Sequence, residues 1–548
     1  MSRFSKQLTW LLMLVFALTA LAVQAEPVLK AGDRVVIYGD SITQQCMYSR
    51  YVQQYITCRY PDLKVSFYNA GWGGDTAGGA LNRLDRDVLS LNPTVVTMFF
   101  GMNDGGYIAL NPNILAGYRK NMESLILALQ AKNVRPVVYT PGCVDPDRNP
   151  KLKDAQYNKT LEALGQADLE LAKQYNCPSM DVHHPMLDFQ NAQKAANPAY
   201  TMIGDAVHPN ADGHLVMTFQ MLKGLGAEPM PALGTFDAAT GKADGLRVVS
   251  PDPAKIVLET LASLPVPFWF DASNYSAMKA SGFLEMAGQK LTVKGLTAEA
   301  YDVVIDGVPA GRYVVEDLAA GVPIAGTYSL RAKLIHDAIQ RKESLYFSAW
   351  RDMQFGFATL PDIKKTVDNL ILANDSLQAS IIAGATPAKA TITLTPAPGG
   401  VNLALGKTYV SSDPNTHGWG AVGLTDGSYV VDAQRAYASN ETPKFPKTVT
   451  IDLTKSSRIA TVLVALPNIG STKTVIVSVS ADGTNFTDVG THEFKLRTEE
   501  KYSYTFPAVD ARYVRLTYPD HYAETVSYDP NFVFTSEVEV YAPSKNAK

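Results

Sequence analysis

What the sequence is short of narrows it first. Neither sign of charge dominates: 49 lysines and arginines stand against 53 aspartates and glutamates, a formal net charge of −4. A basic footprint for nucleic acid is therefore missing. Charged residues are 19 % of the chain and hydrophobic ones 46 %, which excludes wholesale disorder. Beyond residue 23 no stretch is long and apolar enough to span a bilayer. Cysteine is scarce, at four in 548 residues, with no Cys-x-x-Cys and no Cys/His cluster at zinc spacing. No repeat of fixed period is present. The length suits about three or four domains, with cores large enough to need no disulfide staples.

The start of the chain holds the one long apolar run. Arg3 and Lys6 precede it, it runs from Leu8 to Val23, and Val23-Gln24-Ala25 puts small residues where a signal peptidase reads. This pattern predicts a signal peptide over residues 1–25 and a secreted or periplasmic protein. No Cys follows the run, so a lipid anchor is not expected, and the run is short for an uncleaved one. The segment holds two basic residues and no acid. The mature chain would carry 47 basic against 53 acidic residues, a net charge of −6. An exported chain can form disulfides, and Cys46, Cys58, Cys143 and Cys177 allow three pairings. Cys46 and Cys58 would sit about three turns apart on one helix, too far to bridge. Cys143 and Cys177 flank one predicted helix and are the favoured pair, with buried free thiols as the alternative.

Three regions differ in pattern. Over 26–226, β-branched runs at Arg34 to Tyr38, Val65 to Asn69, Thr94 to Phe100, Arg135 to Thr140 and Ser179 to Val182 alternate with helical stretches. One helix is expected over Ile114 to Ala131, where Leu115, Met122, Leu125, Ile126 and Leu129 share a face, and another over Lys153 to Tyr175. Strands alternating with helices imply an α/β fold with a covered parallel sheet. Over 227–390, short strands such as Lys290 to Val293 and Tyr301 to Ile305 suggest a β-rich accessory region. Its helix, from about Ser329 to Trp350, can pack back on the first region, and Phe268-Trp269-Phe270 reads as core, with an exposed aromatic platform as the alternative. Residues 384–402, rich in Ala, Thr, Pro and Gly, read as a linker. Residues 401–542 carry only strand-like segments and suggest a β-sandwich.

The chemistry sits where strands end, which is where open parallel sheets bind ligands. Strand one runs into Gly39-Asp40-Ser41, strand two into Asn69-Ala70-Gly71-Trp72-Gly73-Gly74-Asp75, and strand three into Gly101-Met102-Asn103-Asp104. Asp205-Ala206-Val207-His208 comes late, before an apolar helix. Together these suffice for acyl transfer. Ser41 can attack if His208 takes its proton, and Asp205 can hold the imidazole and stabilise its charged form. The Ser41 and Gly74 backbone amides and the Asn103 side-chain amide can stabilise an oxyanion, each donor worth about 3 kcal/mol of barrier. A glycine at 74 lets backbone approach substrate without a Cβ.

That ordered set resembles the four signature blocks of the SGNH (GDSL-type) hydrolases, over about 200 residues. The resemblance implies a flavodoxin-like three-layer α/β/α core, and ester hydrolysis by a Ser-His-Asp triad with a Ser/Gly/Asn oxyanion hole. The roles fall on Ser41, His208, Asp205, Gly74 and Asn103 without substitution, and no cofactor is expected for catalysis. Gly-x-Ser-x-Gly is missing, unlike in α/β-hydrolases. Asp181-Val182-His183-His184-Pro185 repeats the Asp-x-x-His-Pro pattern, but the later copy is favoured because Asn210 to His214 and a terminal helix follow it. His214 reads as a helix-start residue, and His336, His417, His492 and His521 as outside the site. Asp40 and Asp75 read as loop hydrogen-bonders, with local charge near the substrate as the alternative. Trp72 reads as a core cap, with stacking on a sugar as the alternative.

The C-terminal region has Asn402-Leu403-Ala404-Leu405-Gly406, Leu424-Thr425-Asp426-Gly427, Ser480-Ala481-Asp482-Gly483, Arg512-Tyr513-Val514-Arg515 and Ser536-Glu537-Val538-Glu539 in order. This resembles discoidin-like (F5/8 type C) domains, which include galactose-binding modules. The resemblance implies a structural Ca²⁺ near Asp426 and Glu537, completed by backbone carbonyls. Trp419, His417, Arg435 and Tyr437 are candidates to line a sugar site, with loop packing as the alternative. The expectation for the whole is a secreted serine esterase removing acyl groups, O-acetyl foremost, from a polysaccharide partner. A lipase or lysophospholipase, and a non-catalytic glycan-binding protein, are the alternatives.

Overall fold

The computed structural model describes residues 28–543 apart from 357–358, 398–399, 420–422, 428, 430–435 and 525–527. The expected signal peptide and Arg435 lie outside the described residues. The chain forms two compact units, and its path alternates between them. The first comprises Met1–Met230, Ala277–Ala287 and Arg331–Thr386; the second comprises Pro231–Ser276, Gly288–Leu330 and Pro387–Lys548. The region expected as a single accessory piece is thus divided between the two.

In the first unit, β1 (Arg34–Gly39), β2 (Ser66–Gly71), β3 (Val95–Phe99), β4 (Arg135–Tyr139) and β5 (Ser179–Met180) form a parallel sheet in the order β2-β1-β3-β4-β5. Nearly every residue of β1 and β3 is buried, as expected of strands covered on both faces. Helices α1 (Met47–Arg59), α2 (Ala77–Asp87), α3 (Pro112–Gln130), α4 (Tyr157–Gln174), α5 (His183–Ala196) and α6 (Ala211–Gly224) cover it. On α3, Met122, Leu125, Ile126 and Leu129 are fully buried, each contributing roughly 1.5–3 kcal/mol. The chain leaves β1 towards β2 on one side and returns to β3 on the other, so the order reverses between the carboxyl ends of β1 and β3.

Two later helices, α7 (Leu330–Phe347) and α8 (Ile363–Gly384), complete this unit. Helix α7 matches the expected one, and its buried residues Ala332, Ile335, Ile339, Lys342 and Tyr346 recur at helical spacing. The buried Lys342 ammonium donates to Gln53 Oε1 (3.0 Å), Gln378 Oε1 (2.7 Å) and the Phe67 carbonyl (2.8 Å), while Gln378 Nε2 donates to the Val65 carbonyl (3.1 Å). Strand β2 is the sheet edge, so these two helices supply donors to carbonyls that no neighbouring strand satisfies. Glu343 accepts from Ser49 Oγ (2.9 Å) and Arg50 Nε (3.0 Å), and Trp350 Nε1 donates to Asp87 (3.0 Å).

None of the four cysteines is bonded: Cys46, Cys58 and Cys143 are buried free thiols and Cys177 is half-buried. The favoured Cys143–Cys177 pair fails because Cys143 follows the carboxyl end of β4 and Cys177 precedes the amino end of β5. The 18 residues of α4 between them span roughly 27 Å.

The second unit contains a four-stranded and a five-stranded sheet that share one core, including Phe236, Leu291 and Val293 from the first and Leu258, Val303, Ile392 and Leu394 from the second. The expected linker at 384–402 is corrected here. Thr391–Ala397 is a strand hydrogen-bonded between Ala300–Ile305 and Ile256–Thr260, with Ile392 and Leu394 fully buried. Phe268 and Phe270 are also core. The C-terminal part is antiparallel, built on two long strands, Lys447–Leu466 and Glu500–Tyr518, around a core that includes Val449, Val462, Val477, Val514 and Val540. The first of these is one continuous strand with register shifts between Asp452 and Ser457 and between Ile459 and Thr461. Among the described residues no helix is long and apolar enough to cross a membrane.

Candidate active site

The site lies in the first unit at the reversal between β1 and β3. Asp40 caps the helix Ser41–Gln44, accepting from Ile42 N (2.9 Å), and Ser41 stands on its first turn, where its N–H has no intrahelical acceptor. His208 Nε2 is 2.8 Å from Ser41 Oγ and His208 Nδ1 is 2.7 Å from Asp205 Oδ2. Asp205 Oδ1 accepts from Val207 N (3.0 Å) and His208 N (2.7 Å), so the turn carrying the imidazole is closed by its own carboxylate. Burial works against the charge of Asp205, but these two N–H groups and the His208 ring outweigh it and hold its pKa below the usual carboxylate value. An ionised carboxylate only accepts, so Nδ1–H donates to Asp205, and Nε2 is the ring nitrogen that faces Ser41 Oγ.

Gly74 and Asn103 stand on the neighbouring loops. Gly74 has φ +75°, and a Cβ there would meet no atom within 4 Å. Backbone conformation, not a crowded approach, is what calls for glycine at this position. Its N–H donates to no protein group among the described residues. Asn103 Nδ2 donates to the Asp75 carbonyl (2.8 Å), which ties the β3 loop to the β2 loop and commits only one of its two amide hydrogens. Asp104 fastens the same join, accepting from Ala77 N (2.9 Å) and Gly101 N (3.1 Å).

The second Asp-x-x-His copy forms a dyad of its own, His184 Nδ1 lying 2.6 Å from Asp181. Its Nε2 faces Glu162 at 3.3 Å, a carboxylate and not a hydroxyl. His214 is fully buried, stacks on Tyr48 and shares a hydrogen bond with Gln45 (2.9 Å). Trp72 packs edge-to-face on Trp350, with the Arg351 guanidinium 3.3 Å from its ring centre, which is the core-cap reading. In the second unit, Tyr437 is buried and stacked on Tyr518, Trp419 packs on Tyr528 and Phe534, and His417 is held by Glu441 (2.9 Å). Spacing gave no hint of Arg83, Gln44 and Tyr107. Arg83 donates to the carbonyls of Gly39 (3.1 Å) and Ala70 (2.8 Å), Gln44 Oε1 accepts from Gly73 N (2.5 Å), and Tyr107 donates to Asn103.

Two shielded carboxyls adjoin the site, Asp40 fully buried and Asp104 half-buried. Burial pushes Asp40 up to about 7, against the Ile42 N–H and with Asp104 and Asp75 adding to the rise. Burial likewise pushes Asp104 up to about 6, against the N–H groups of Ala77 and Gly101. A carboxyl raised in the folded state gives stability that is complete below its unfolded pKa and lost as pH rises through the folded one. For Asp40 that window runs from about 3.8 to about 7, at about 1.4 kcal/mol per pH unit at most. Asp40→Asn keeps an acceptor for Ile42 N and removes the charge. Its melting temperature is expected to equal wild type near pH 4 and exceed it at pH 8; equal values at pH 8 would disprove the account.

A parallel α/β sheet with a serine, a histidine and an acid in hydrogen-bonded series at its switch point is the architecture of an acyl hydrolase. Residues 37–216 match the GDSL-like lipase/acylhydrolase family, and residues 423–516 match the NedA-like, galactose-binding domain family. The chain is a carboxylic ester hydrolase built on a GDSL-like domain, with a galactose-binding-type domain after it. An acetylxylan esterase of Geobacillus stearothermophilus is 22 % identical over 219 residues, which are 36 % of this chain and 96 % of that one. Among solved structures, a gut microbial diltiazem-metabolizing enzyme shares the fold at TM-score 0.58 and 24 % identity, covering 67 % of this chain and 98 % of that one. A lipase/acylhydrolase from Enterococcus faecalis is 24 % identical over 35 % of this chain and 95 % of its own, at TM-score 0.30.

Proposed function

We propose that this protein is a secreted serine esterase that removes acyl groups, acetyl foremost, from a polysaccharide. The observation that carries the reading is the unbroken series Ser41 Oγ, His208 Nε2, His208 Nδ1, Asp205 Oδ2, with contacts of 2.8 and 2.7 Å. In this reading Ser41 Oγ attacks the acyl carbon as its proton passes to His208 Nε2. The Ser41 and Gly74 N–H groups and Asn103 Nδ2 receive the oxyanion. The sugar oxygen leaves with the proton from His208, and a water activated by the same nitrogen then frees the acyl group and restores Ser41. The acetylxylan esterase likeness and the galactose-binding-type domain support a carbohydrate as the substrate, because a tethered sugar module raises local substrate concentration. Acetate release across acetylated plant and algal polysaccharides tests this, beside p-nitrophenyl esters of short and long chains. Hydrolysis confined to long-chain esters would favour the lipase alternative.

A structural Ca²⁺ at Asp426 and Glu537 belongs to the same reading. The Glu537 carboxyl is buried, its Oε2 accepts from Gly427 N (3.1 Å) and its Oε1 has no hydrogen-bond partner. Burial, with Asp426 and Glu539 adding, pushes its pKa well above the usual value. Two facing carboxyls with an orphaned oxygen fit a hard cation. Among the described residues they do not join a third His, Cys, Asp or Glu, so backbone carbonyls would complete the shell. A chelator is expected to lower the melting temperature of the wild type and leave Glu537→Gln unchanged; a wild type indifferent to chelator and to added Ca²⁺ would exclude the ion.

A further inference from the structure

The loop after β3 holds a tyrosine that the acyl-transfer reading leaves unused. Tyr107 Oη donates to Asn103 Oδ1 at 2.7 Å, while Asn103 Nδ2 donates to the Asp75 carbonyl at 2.8 Å. The second bond fixes the amide, since a carbonyl only accepts: nitrogen must face Asp75 and oxygen must face Tyr107. Turned over, the amide would lose the bond to Asp75 and point its oxygen at the place of the oxyanion. The tyrosine is itself held. Its φ is +59°, in the left-handed region that a bulky side chain rarely occupies, directly after Gly106 at +63°. Its ring lies 5.2 Å from that of Tyr157, whose hydroxyl donates to the Met102 carbonyl (2.6 Å). A Cβ on Gly105 would come within 2.5 Å of that hydroxyl, so glycine is what lets the two tyrosines meet under the loop. Thr160 Oγ1 donates to the Ile108 carbonyl (3.0 Å) and closes the far side. Burial, with Asp40 and Asp205 adding, pushes the Tyr107 hydroxyl up to about 12, so it remains a donor at any working pH.

We propose that Tyr107 is a positioning residue that sets the orientation of the Asn103 amide, and through Asp75 ties the Asn103 and Gly74 donors into one rigid oxyanion site. The inference rests on the reading of Asn103 as an oxyanion donor. A donor that is free to turn spends part of its time pointing away from developing charge, and the loss appears in the transition state and not in substrate binding.

Tyr107→Phe keeps the ring on Tyr157 and removes only the hydroxyl. With p-nitrophenyl acetate its kcat is expected to fall about tenfold, with KM within about twofold of wild type and the thermal melt unchanged. Asn103→Ala should lose about 100-fold or more in kcat, and adding Tyr107→Phe to it should cost nothing further. A merely structural tyrosine would lower the melting temperature, or lower kcat equally in both backgrounds. Full kcat in Tyr107→Phe beside an impaired Asn103→Ala would overturn the role of the tyrosine alone. Full kcat in Asn103→Ala would overturn the oxyanion assignment and the inference with it.

Discussion

Ser41→Ala is expected to abolish acyl ester hydrolysis, lowering kcat by at least about 10³-fold, the scale on which other hydrolases lose activity without their nucleophile. The His208 imidazole is aimed at Ser41 Oγ, and the second Asp-His dyad, at Asp181 and His184, faces a carboxylate. Gly74 and Asn103 would remain in the variant, so a trace of hydrolysis above that in water is expected. His208→Ala should be similarly impaired, and the double variant no worse than either, because the pair acts as one unit. Acetate release and reaction with a fluorophosphonate probe measure this. A Ser41→Ala enzyme that keeps its rate would sink the whole assignment.

The largest effect on stability is expected at a residue that touches no substrate. Arg83→Ala should cost about 3–5 kcal/mol, the usual loss when one partner leaves a buried ionic group. The Arg83 side chain is 6 % exposed, and its partners Asp75 and Asp87 are 8 % and 0 % exposed. It binds Asp75 at 2.7 Å and Asp87 at 3.4 Å, lies 4.4 Å over the Tyr38 ring, and donates to the carbonyls of Gly39 and Ala70. Removing it would leave two carboxylates and two carbonyls buried without this donor. Urea denaturation would show the loss, and Asp75→Asn in the same chain should recover part of it. A midpoint within error of wild type would refute the reasoning. Gly39 and Ala70 lie just before the Ser41 and Gly74 loops, so a fall in kcat should accompany the loss.

Much of the core was legible because its strands are uninterrupted apolar runs. Val35-Val36-Ile37 and Val95-Val96 can only be strands covered on both faces, and each ends in the residues that gather at the site. Composition misled at 384–402. Ala, Thr and Pro suggested a linker, yet Ile392 and Leu394 are buried while Thr391 is exposed and Thr393 half-buried, the alternation of a strand. Helix α8 escaped notice, although Val367, Asn374, Gln378 and Ile381 form a buried stripe, because half of that stripe is polar. Arg83 and Tyr107 were illegible for another reason. Their work is done through bonds to backbone and side chains that only the folded loops bring near, and residue type alone announces none of them.

The cover on the sheet edge has a consequence for the order of synthesis. On the open edge of the sheet the Phe67 carbonyl of β2 receives a donor from Lys342 and the Val65 carbonyl just before it one from Gln378, and Asp87 receives one from Trp350. Every strand and motif of the acyl hydrolase core is made by residue 216, and Gln378 follows 162 residues later. At about 5–20 residues per second, ribosomes take roughly 8–30 s to cover that distance. Through that interval the nascent core holds its full set of reacting residues, while the Phe67 and Val65 carbonyls lack the side chains that cap them in the finished protein. A chain ended at residue 226 would stay in that state, so an active fragment is to be sought by keeping residues 331–386, not by cutting where the last motif ends.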